Sequence, residues 1–234
     1  MAAAVASGVK HFIFSSTAAV YGAPRAVPVP ETAALEPMSP YGSSKLMTEW
    51  MLRDTAAAHD LRYVALRYFN VAGADPHGRT GQSTKGATHL IKVACETALG
   101  KRPAMEVFGT DYETRDGTCV RDYIHVTDLA RAHLAALAHL RGGGTSETYN
   151  CGYSHGFTVL EVIDAVKRVS GRDFTVRTAA RRPGDPPEIV ADSRKLRAAL
   201  GWQPRHDDLD EIVRHALAWE DRLTRLKRNA ATVA

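Results

Sequence analysis

The segment SPYGSSKLMTEWMLRDTAAAHDLRYVALRYFN, residues 39–70, decides the fold because it places a helix directly before a strand. Ser39 is a candidate N-cap and Pro40 suits the first turn, so the segment predicts a helix over 40–58. The apolar stripe predicted for that helix consists of Leu46, Met47, Trp50 and Met51. The bulky, β-branched run at 61–70 predicts the strand that follows.

The same alternation continues on both sides of this segment. Strands are predicted at 11–16, 148–152 and 174–179, and helices at 2–8, 88–101, 126–141, 158–171, about 193–200 and about 208–228. Thr127 is the predicted cap of the helix over 126–141, and Thr158 with Glu161 forms a capping box at the start of another. No internal repeat or linker interrupts the pattern. The chain is therefore predicted to be an α/β protein with a mostly parallel sheet and no separate second domain.

Composition argues against several classes of partner. The net charge is +4, but there is no run of like charges and no basic–aromatic stripe, so we expect no nucleic-acid partner. The apolar start MAAAVASGVK is too short to span a membrane, so no membrane partner is expected either. Cys95, Cys119 and Cys151 lack the spacing of a metal site, and no signal peptide is present. These features predict reduced thiols, a cytoplasmic location and no metal.

Tyr41 and Lys45 are the first candidate catalytic residues. They lie one helical turn apart, so the ammonium can sit near the phenol. A nearby positive charge stabilises the phenolate and moves tyrosine toward use as a general base. Taken alone, the pair is weak evidence, because a surface tyrosine beside a solvated lysine gives the same spacing.

Three hydroxyl residues end the strand predicted at 11–16 and continue just past it. Ser15, Ser16 and Thr17 would lie at the carboxyl end of a strand, where open α/β sheets bind their ligands. Hydroxyl groups there could bridge a substrate oxygen and Tyr41. A polar strand end that forms a Ser/Thr turn explains the same residues without a ligand.

Six blocks of the sequence resemble, in the same order, those of the UDP-glucose (UDP-galactose) 4-epimerases, which belong to the extended short-chain dehydrogenase/reductase group. The blocks are FIFSSTAAVYG (12–22), SPYGSSKLMTE (39–49), LRYFNVAGA (66–74), GTDYETRDGTCVRDYIHVTDLARAH (109–133), YNCG (149–152) and RRPGDPPEIVAD (181–192). The similarity runs from about residue 8 to residue 220.

The resemblance implies an NAD cofactor and roles for four residues beside it. Tyr41 would take the proton from the sugar 4-hydroxyl as a hydride leaves C4 for NAD. Lys45 would lower the pKa of that tyrosine and hydrogen-bond the nicotinamide ribose. Thr17 would contact the sugar 4-oxygen and Tyr41, and the backbone of Phe69 would touch the nicotinamide. A 4-keto sugar would then turn over in the site and take the hydride back on its other face.

The resemblance also implies a binding site for a UDP-sugar. Arg121 and Arg182 match diphosphate ligands, a role that suits the planar, bidentate guanidinium group. Asn70 would hold the nucleotide sugar, and Asp185 would contact the uridine ribose. The residues matched to the segments that enclose uracil and diphosphate are His89, Leu90, Glu106, Val107 and Phe108. Without the resemblance, the two arginines would be read as surface residues and His89 as a structural histidine.

Ile189 occupies the position that borders the 2-substituent of the sugar in this family. Relatives carry either a large or a small residue at this position. Isoleucine is smaller than a large residue such as tyrosine, so the pocket is expected to admit an N-acetyl group as well as a hydroxyl.

Two related activities are weighed against epimerisation. Nucleotide-sugar 4,6-dehydratases carry an Asp-Glu pair where this chain has Ala18 and Ala19, and alanine cannot transfer a proton. Dehydration is therefore disfavoured. A nucleotide-sugar reductase stays open, because only the return of the hydride separates reduction from epimerisation.

A third alternative is a non-catalytic nucleotide-sugar-binding fragment. A dinucleotide site needs a glycine-rich turn between a strand and a helix, and the glycines of GRTGQSTKG (78–86) follow a loop instead. The expectation is that the chain is the C-terminal two thirds of an epimerase, with a partial Rossmann-type parallel sheet lacking its first strands and glycine-rich loop. Residues 1–75 and about 110–150 would belong to the NAD-binding domain, and 76–234 mainly to a smaller substrate lobe. A homodimer is the candidate assembly implied by the resemblance.

Overall fold

The computed structural model describes residues 1–232, with side chains as far as residue 226. Within these residues the helices are α1 (Ala2–Ala6), α2 (Pro40–Ala58), α3 (Leu90–Ala98), α4 (Val126–Arg141), α5 (Val159–Ser170), α6 (Arg194–Leu200) and α7 (Leu209–Thr232). The strands of the described part of the chain are β1 (His11–Thr17), β2 (Arg62–Tyr68), β3 (Asn70–Ala72), β4 (Met105–Phe108), β5 (Val120–Arg121), β6 (Tyr123–His125), β7 (Glu147–Cys151), β8 (Phe157–Thr158), β9 (Val176–Ala179) and β10 (Glu188–Ile189). A short 3-10 helix, Ala18–Tyr21, follows β1.

The main sheet is parallel, in the order β1-β2-β7. Helix α2 crosses from β1 to β2, and α4 packs against both of those strands. Thr17, at the end of β1, is in register with Tyr68, at the end of β2. The predicted α/β class and parallel sheet are confirmed, and the strand ends form one edge where ligands can bind.

Smaller strand pairs extend the fold beyond the main sheet. Strand β3 pairs with β6 and β4 with β9, both in parallel, while β5 lies between β10 and β8. The main core packs β2 and β7 against α3, α4, α5 and α7. A second, smaller core lies beneath the edge of the main sheet and includes Tyr21, Leu46, Phe69 and Ile189.

The predicted ends of several helices are confirmed. The Ser39 hydroxyl accepts from the Gly42 N–H, 3.1 Å away, with Pro40 at the first helical position. Thr158 and Glu161 form the predicted capping box. One prediction is wrong: α4 is capped by the His125 side chain, which accepts from the N–H of Thr127. A histidine with an unprotonated Nδ1 serves here as the acceptor that Thr was expected to supply.

The apolar stripe predicted for α2 is also wrong. Leu46 is buried, but Met47, Trp50 and Met51 are each about half exposed, and Glu49 is buried in their place. The reason is a buried ion pair: Arg67 Nη2 on β2 lies 2.5 Å from Glu49 Oε2. This pair turns a polar position of α2 toward the sheet and leaves the stripe outside.

Within residues 1–232, no helix combines the length and apolarity needed to cross a membrane.

Candidate active site

A cavity of about 540 Å³ opens at the carboxyl ends of β1 and β2. Its wall includes Thr17 from β1, Tyr41 from the first turn of α2, and Phe69 and Asn70 just beyond β2. Gly42 allows α2 to approach so closely, since a Cβ there would lie 2.6 Å from the Ala19 carbonyl oxygen. We call this space the catalytic cavity.

Thr17 is the only one of the three predicted hydroxyl residues that lines the catalytic cavity. Its Oγ1 accepts from the Ala19 N–H at 3.1 Å, so its own proton is free to donate. Ser16 instead donates to Glu49 Oε1 at 2.5 Å, and Ser15 pairs with His133 at 2.8 Å. Ser15 and Ser16 therefore do not line the catalytic cavity, because their hydroxyls are paired with His133 and Glu49.

Tyr41 projects from the second position of α2 and is half exposed to the cavity. The positive end of the helix dipole stabilises an anion at this position. Lys45 Nζ donates to the Ser15 carbonyl oxygen at 3.0 Å and lies 5.7 Å from the centre of the Tyr41 ring. The N-terminus of α2 and the Lys45 ammonium therefore both lie near the Tyr41 ring, as the spacing of the pair predicted.

Tyr68 is the second phenol on the wall of the catalytic cavity. Burial, with a smaller contribution from Tyr41, raises the pKa of Tyr68 above its ordinary value. This makes Tyr68 a poor base at neutral pH. Ala18 and Ala19 line the same wall, and Asp185 is the only carboxylate among the described lining residues.

A second cavity of about 480 Å³ adjoins the first, and we call it the nucleotide cavity. Its lining residues that were predicted from the sequence are Asn70, His89, Leu90, Glu106, Phe108, Arg121, Arg182 and Asp185. Four of these residues, Asn70, His89, Arg121 and Asp185, line both cavities. The residues predicted to bind the sugar and the nucleotide therefore line one continuous space.

Both arginines predicted from the sequence as diphosphate ligands line the nucleotide cavity. Arg121, largely buried, lies where the two cavities meet, with its Nη2 3.8 Å from Asp185 Oδ1. The guanidinium carbon of Arg182 lies 3.6 Å from the centre of the Phe108 ring, in cation–π contact. A diphosphate near Arg121 and a planar base near Phe108 would be recognised by these groups.

Val107 is the exception among the predicted residues. It is buried in the main core, between Glu106 and Phe108, whose side chains face the nucleotide cavity. Because side chains alternate along β4, only the backbone of Val107 is available to a ligand.

His89 is positioned by a hydrogen bond, and Ile189 by packing in the smaller core. His89 Nδ1 lies 2.9 Å from Gln82 Nε2, at the residue before α3. Ile189 is packed into the smaller core and presents part of its side chain to the catalytic cavity.

The chain matches a known protein family over more than half of its length. Residues 1–152 match the model of the NAD dependent epimerase/dehydratase family. The chain belongs to this family.

Curated relatives of the chain are UDP-glucose 4-epimerases. The chain is 60% identical over 220 residues to a UDP-glucose 4-epimerase of Azospirillum brasilense, a match that covers 94% of this chain and 63% of that protein. It is 45% identical over 214 residues to the UDP-glucose 4-epimerase of Lacticaseibacillus casei, covering 92% of this chain and 65% of the relative. The resemblance to this group is therefore confirmed, and the chain spans somewhat less than two thirds of the length of these curated relatives.

Solved structures show the same fold. The UDP-glucose 4-epimerase of Brucella ovis in complex with NAD superposes with a TM-score of 0.90 at 46% identity, covering 93% of this chain and 67% of that one. The enzyme of Bifidobacterium longum in complex with NAD⁺ and UDP gives a TM-score of 0.88 at 38% identity, covering 94% of this chain and 66% of that one.

The residues around the catalytic cavity fit the nicotinamide end of NAD. Thr17, Tyr41 and Phe69 line the cavity at the strand ends, and Lys45 stands directly behind Tyr41. In residues 1–232 no tight glycine-rich turn leads directly from a strand into a helix: Gly78, Gly81 and Gly86 are spread along the long loop between β3 and α3. The described residues therefore fit the nicotinamide end of the cofactor but offer no pyrophosphate cradle.

Sequence reasoning missed part of the nucleotide cavity. Arg102, Arg177 and Thr88 also line it. The alternation of FTVRTA (174–179) carried the signal for Arg177, since a strand with buried residues on one face must turn its other side chains outward. Arg102 gave no such signal, because its position depends on an ion pair with Glu96, 2.6 Å away.

Proposed function

We propose that this chain supplies the nucleotide-sugar site and the catalytic base of a UDP-glucose 4-epimerase. The observation that carries the proposal is the position of Tyr41, at a helix N-terminus beside Lys45 and Thr17, in a cavity continuous with one that holds Arg121 and Arg182. The descriptions of the relatives support it.

The chemistry of the chain itself centres on one proton. Tyr41 Oη, as phenolate, takes the proton of the sugar 4-hydroxyl and later returns it to the 4-oxygen. The α2 dipole and Lys45 stabilise the phenolate before it takes the proton and after it has returned it. Thr17 donates its hydroxyl proton toward the 4-oxygen and so orients it over the tyrosine. NAD, when bound, supplies the acceptor and donor of the C4 hydride.

The remaining residues bind the nucleotide. Arg121 and Arg182 donate to the diphosphate, and Asp185 accepts from a ribose hydroxyl. Phe108 stacks on uracil once the Arg182 guanidinium moves from its ring toward the diphosphate. Asn70 lies where the two cavities join and so contacts the sugar. His89, Leu90 and Glu106 close the nucleotide cavity around the base and diphosphate.

A nucleotide-sugar-binding role without catalysis is the second candidate. It is favoured by one observation: the nucleotide cavity is lined from several directions, whereas the described residues offer no glycine-rich turn for NAD.

One experiment separates the two candidates from each other and from reduction. The chain is joined to the glycine-rich strand–turn–helix unit of a relative and incubated with NAD and UDP-galactose deuterated at C4. Epimerisation with deuterium retained at C4 is the expected result. UDP binding without turnover would support the binding role, and loss of deuterium to the cofactor would support a reductase.

We further propose that the sugar pocket accepts N-acetylated substrates. Ile189 is small enough to leave room beside the 2-position, and steric effects of this kind are worth about 1–3 kcal/mol. Ile189→Tyr in the same joined protein should lower kcat/KM for UDP-N-acetylglucosamine more than for UDP-glucose. Ile189→Val serves as the matched control, and complete rejection of the N-acetyl sugar by the unsubstituted protein would contradict the proposal.

A homodimer in the cytoplasm completes the proposal. The exposed stripe of Met47, Trp50 and Met51 on α2 is an apolar surface suited to a second copy. The three cysteines are buried and unpaired, which suits a reducing compartment. Trp50→Lys should shift the sedimenting species from dimer to monomer.

A further inference from the structure

Three histidines meet outside the candidate active site, where β6 and α7 approach each other. His125, fully buried, ends β6; His206 lies in the loop before α7; His215 lies on α7. The ring centres of His125 and His206 are 4.5 Å apart, and those of His125 and His215 are 5.2 Å apart. None of the three lines the catalytic or the nucleotide cavity.

Hydrogen bonds fix where the protons of this cluster lie. The N–H of Thr127 donates to His125 Nδ1 at 3.0 Å, so that nitrogen carries a lone pair. The neutral His125 ring then has its proton on Nε2, which donates to His215 Nδ1 at 3.0 Å. His215 keeps its own proton on Nε2, 4.0 Å from Glu211 Oε1.

The third ring converges on the same carboxylate. His206 Nδ1 lies 2.9 Å from Glu211 Oε1. Because Glu211 is an acceptor, Nδ1 of His206 carries the proton.

This arrangement disfavours a metal ion, although the three rings lie close enough to hold one. A metal needs an unprotonated nitrogen from each histidine. A metal on Nε2 of His125 would move its proton to Nδ1, against the backbone N–H of Thr127. The hydrogen bonds of the cluster fit histidine nitrogens that carry and accept protons.

We propose that His125, His206 and His215 form a proton-sensitive clasp that holds α7 against β3 and β6. A proton added to His215 Nδ1 would face the N–H of His125 Nε2 at 3.0 Å. A proton added to His125 Nδ1 would face the backbone N–H of Thr127 at 3.0 Å. Either proton would break a hydrogen bond that holds the His125 ring in place. The His125 ring also covers the turn after β3, where a Cβ on Gly73 would lie 2.6 Å from His125 Cδ2.

Opening of the clasp would shift residues that line the nucleotide cavity, because β3 and β6 connect the two. Ala72 of β3 is in register with His125 of β6. Strand β3 begins at Asn70, and β6 follows Arg121 by two residues. This part of the inference rests on the proposed function, because it concerns the affinity for UDP.

Charged groups from every neighbouring element face the clasp. Asp128 of α4 accepts from the N–H groups of Arg205 and His206, each at 2.8 Å. Glu211 and Arg214 belong to α7, and Asp75, in the loop after β3, also acts on His215. The acidic groups act on the histidine rings through their charge. None of them makes a hydrogen bond to the two nitrogens that join His125 to His215.

Burial, together with the neighbouring rings of His206 and His215, lowers the pKa of His125 to about 4. Burial also lowers the pKa of His215. An unfolded histidine has a pKa of about 6.5. The unfolded chain therefore takes up protons first as the pH falls, and stability that is complete above about pH 6.5 is lost toward pH 4.

The test is urea unfolding of the 234-residue chain at pH 7.5 and pH 5.0. Lowering the pH from 7.5 to 5.0 should raise the unfolding equilibrium constant by roughly 30-fold through His125 alone. This figure follows from the pKa values of His125 in the folded and the unfolded chain. His125→Asn keeps an oxygen that accepts from the Thr127 N–H but removes the titrating ring, so most of this rise should vanish. His59→Asn, at an exposed histidine outside the cluster, should leave it unchanged. Equal pH dependence in the unsubstituted chain and in His125→Asn would overturn the proposal.

Further arms keep the test decisive. If His125→Asn does not fold, His215→Gln should reduce the rise instead, and an unchanged rise would overturn the proposal. Zinc ions should not stabilise the chain at pH 7.5, and stabilisation that depends on all three histidines would overturn the assignment of protons. UDP affinity should fall between pH 7.5 and 5.0 in the unsubstituted chain and less in His125→Asn. Absence of UDP binding at every pH would contradict the proposed function while leaving the stability test intact.

Discussion

The two cavities of the candidate active site differ in how completely this chain builds their walls. The nucleotide cavity is enclosed by α3, β4, β5 and β9 and by the loop that carries Arg182 and Asp185. The catalytic cavity draws its side chains from the ends of β1 and β2, the start of α2 and the same loop. Among the described residues, β1 has a single neighbouring strand, β2. The comparison teaches that, under the proposed function, the described residues supply the side chains for nucleotide recognition and proton transfer but only one wall of a cofactor site.

The largest effect is expected at the catalytic cavity, from Tyr41→Phe in the protein joined to a glycine-rich unit. Loss of a general base typically lowers kcat by about 100- to 10,000-fold. The affinity for UDP should change little, because Tyr41 does not line the nucleotide cavity. Steady-state kinetics and UDP titration measure the two effects separately. A fall in kcat of less than about tenfold would assign the base to another group, and Tyr63→Phe, outside both cavities, is the matched control.

The buried network beneath the catalytic cavity gives the next prediction. Arg67 donates to Glu49 and to Tyr21 Oη, and Tyr21 in turn donates to Asn150 at 2.7 Å. Arg67→Met would leave the Glu49 carboxylate buried without its partner, at a cost of about 3–5 kcal/mol. Urea unfolding should show this loss.

The control for that measurement is the double variant Arg67→Met/Glu49→Leu. Removing both charges avoids the unpaired carboxylate, so the double variant should recover much of the lost stability. A single variant as stable as the unsubstituted chain would show that the network does not hold α2 to the sheet.

Arg121 gives a smaller effect that is confined to binding. Arg121→Met removes a charge-assisted contact to the diphosphate, worth about 1.5–3 kcal/mol. Calorimetric titration of the 234-residue chain with UDP should show this loss, with uridine less affected because it carries no diphosphate. Arg141→Met, at an exposed arginine outside both cavities, is the control. Equal losses for UDP and uridine would place the diphosphate elsewhere.

Features encoded by neighbouring residues were predictable from the sequence. Ser39 capping α2 and the Thr158–Glu161 box depend on contacts within one turn, and the structure confirms both. Tyr41 and Lys45 share a helix face by spacing alone. The position of Thr17 beside them followed from the rule that parallel strands end at a common edge.

Features that depend on distant pairing could not be predicted in this way. Glu49 is buried because Arg67 lies opposite it, and Met47 and Trp50 are exposed for the same reason. The three-residue strands β3 and β6 are too short to leave a periodic signal. The His125 cap and its contact with His215, 90 residues away, became visible only in three dimensions.

The division between the two cavities is tested most directly by titrating the 234-residue chain with UDP and with NAD. We expect UDP to bind saturably with one site per chain, and NAD to show no binding at concentrations that saturate UDP. The missing contribution would be the backbone amides and helix dipole of a glycine-rich turn. NAD retained stoichiometrically through purification, or a chain that binds NAD and not UDP, would contradict the account.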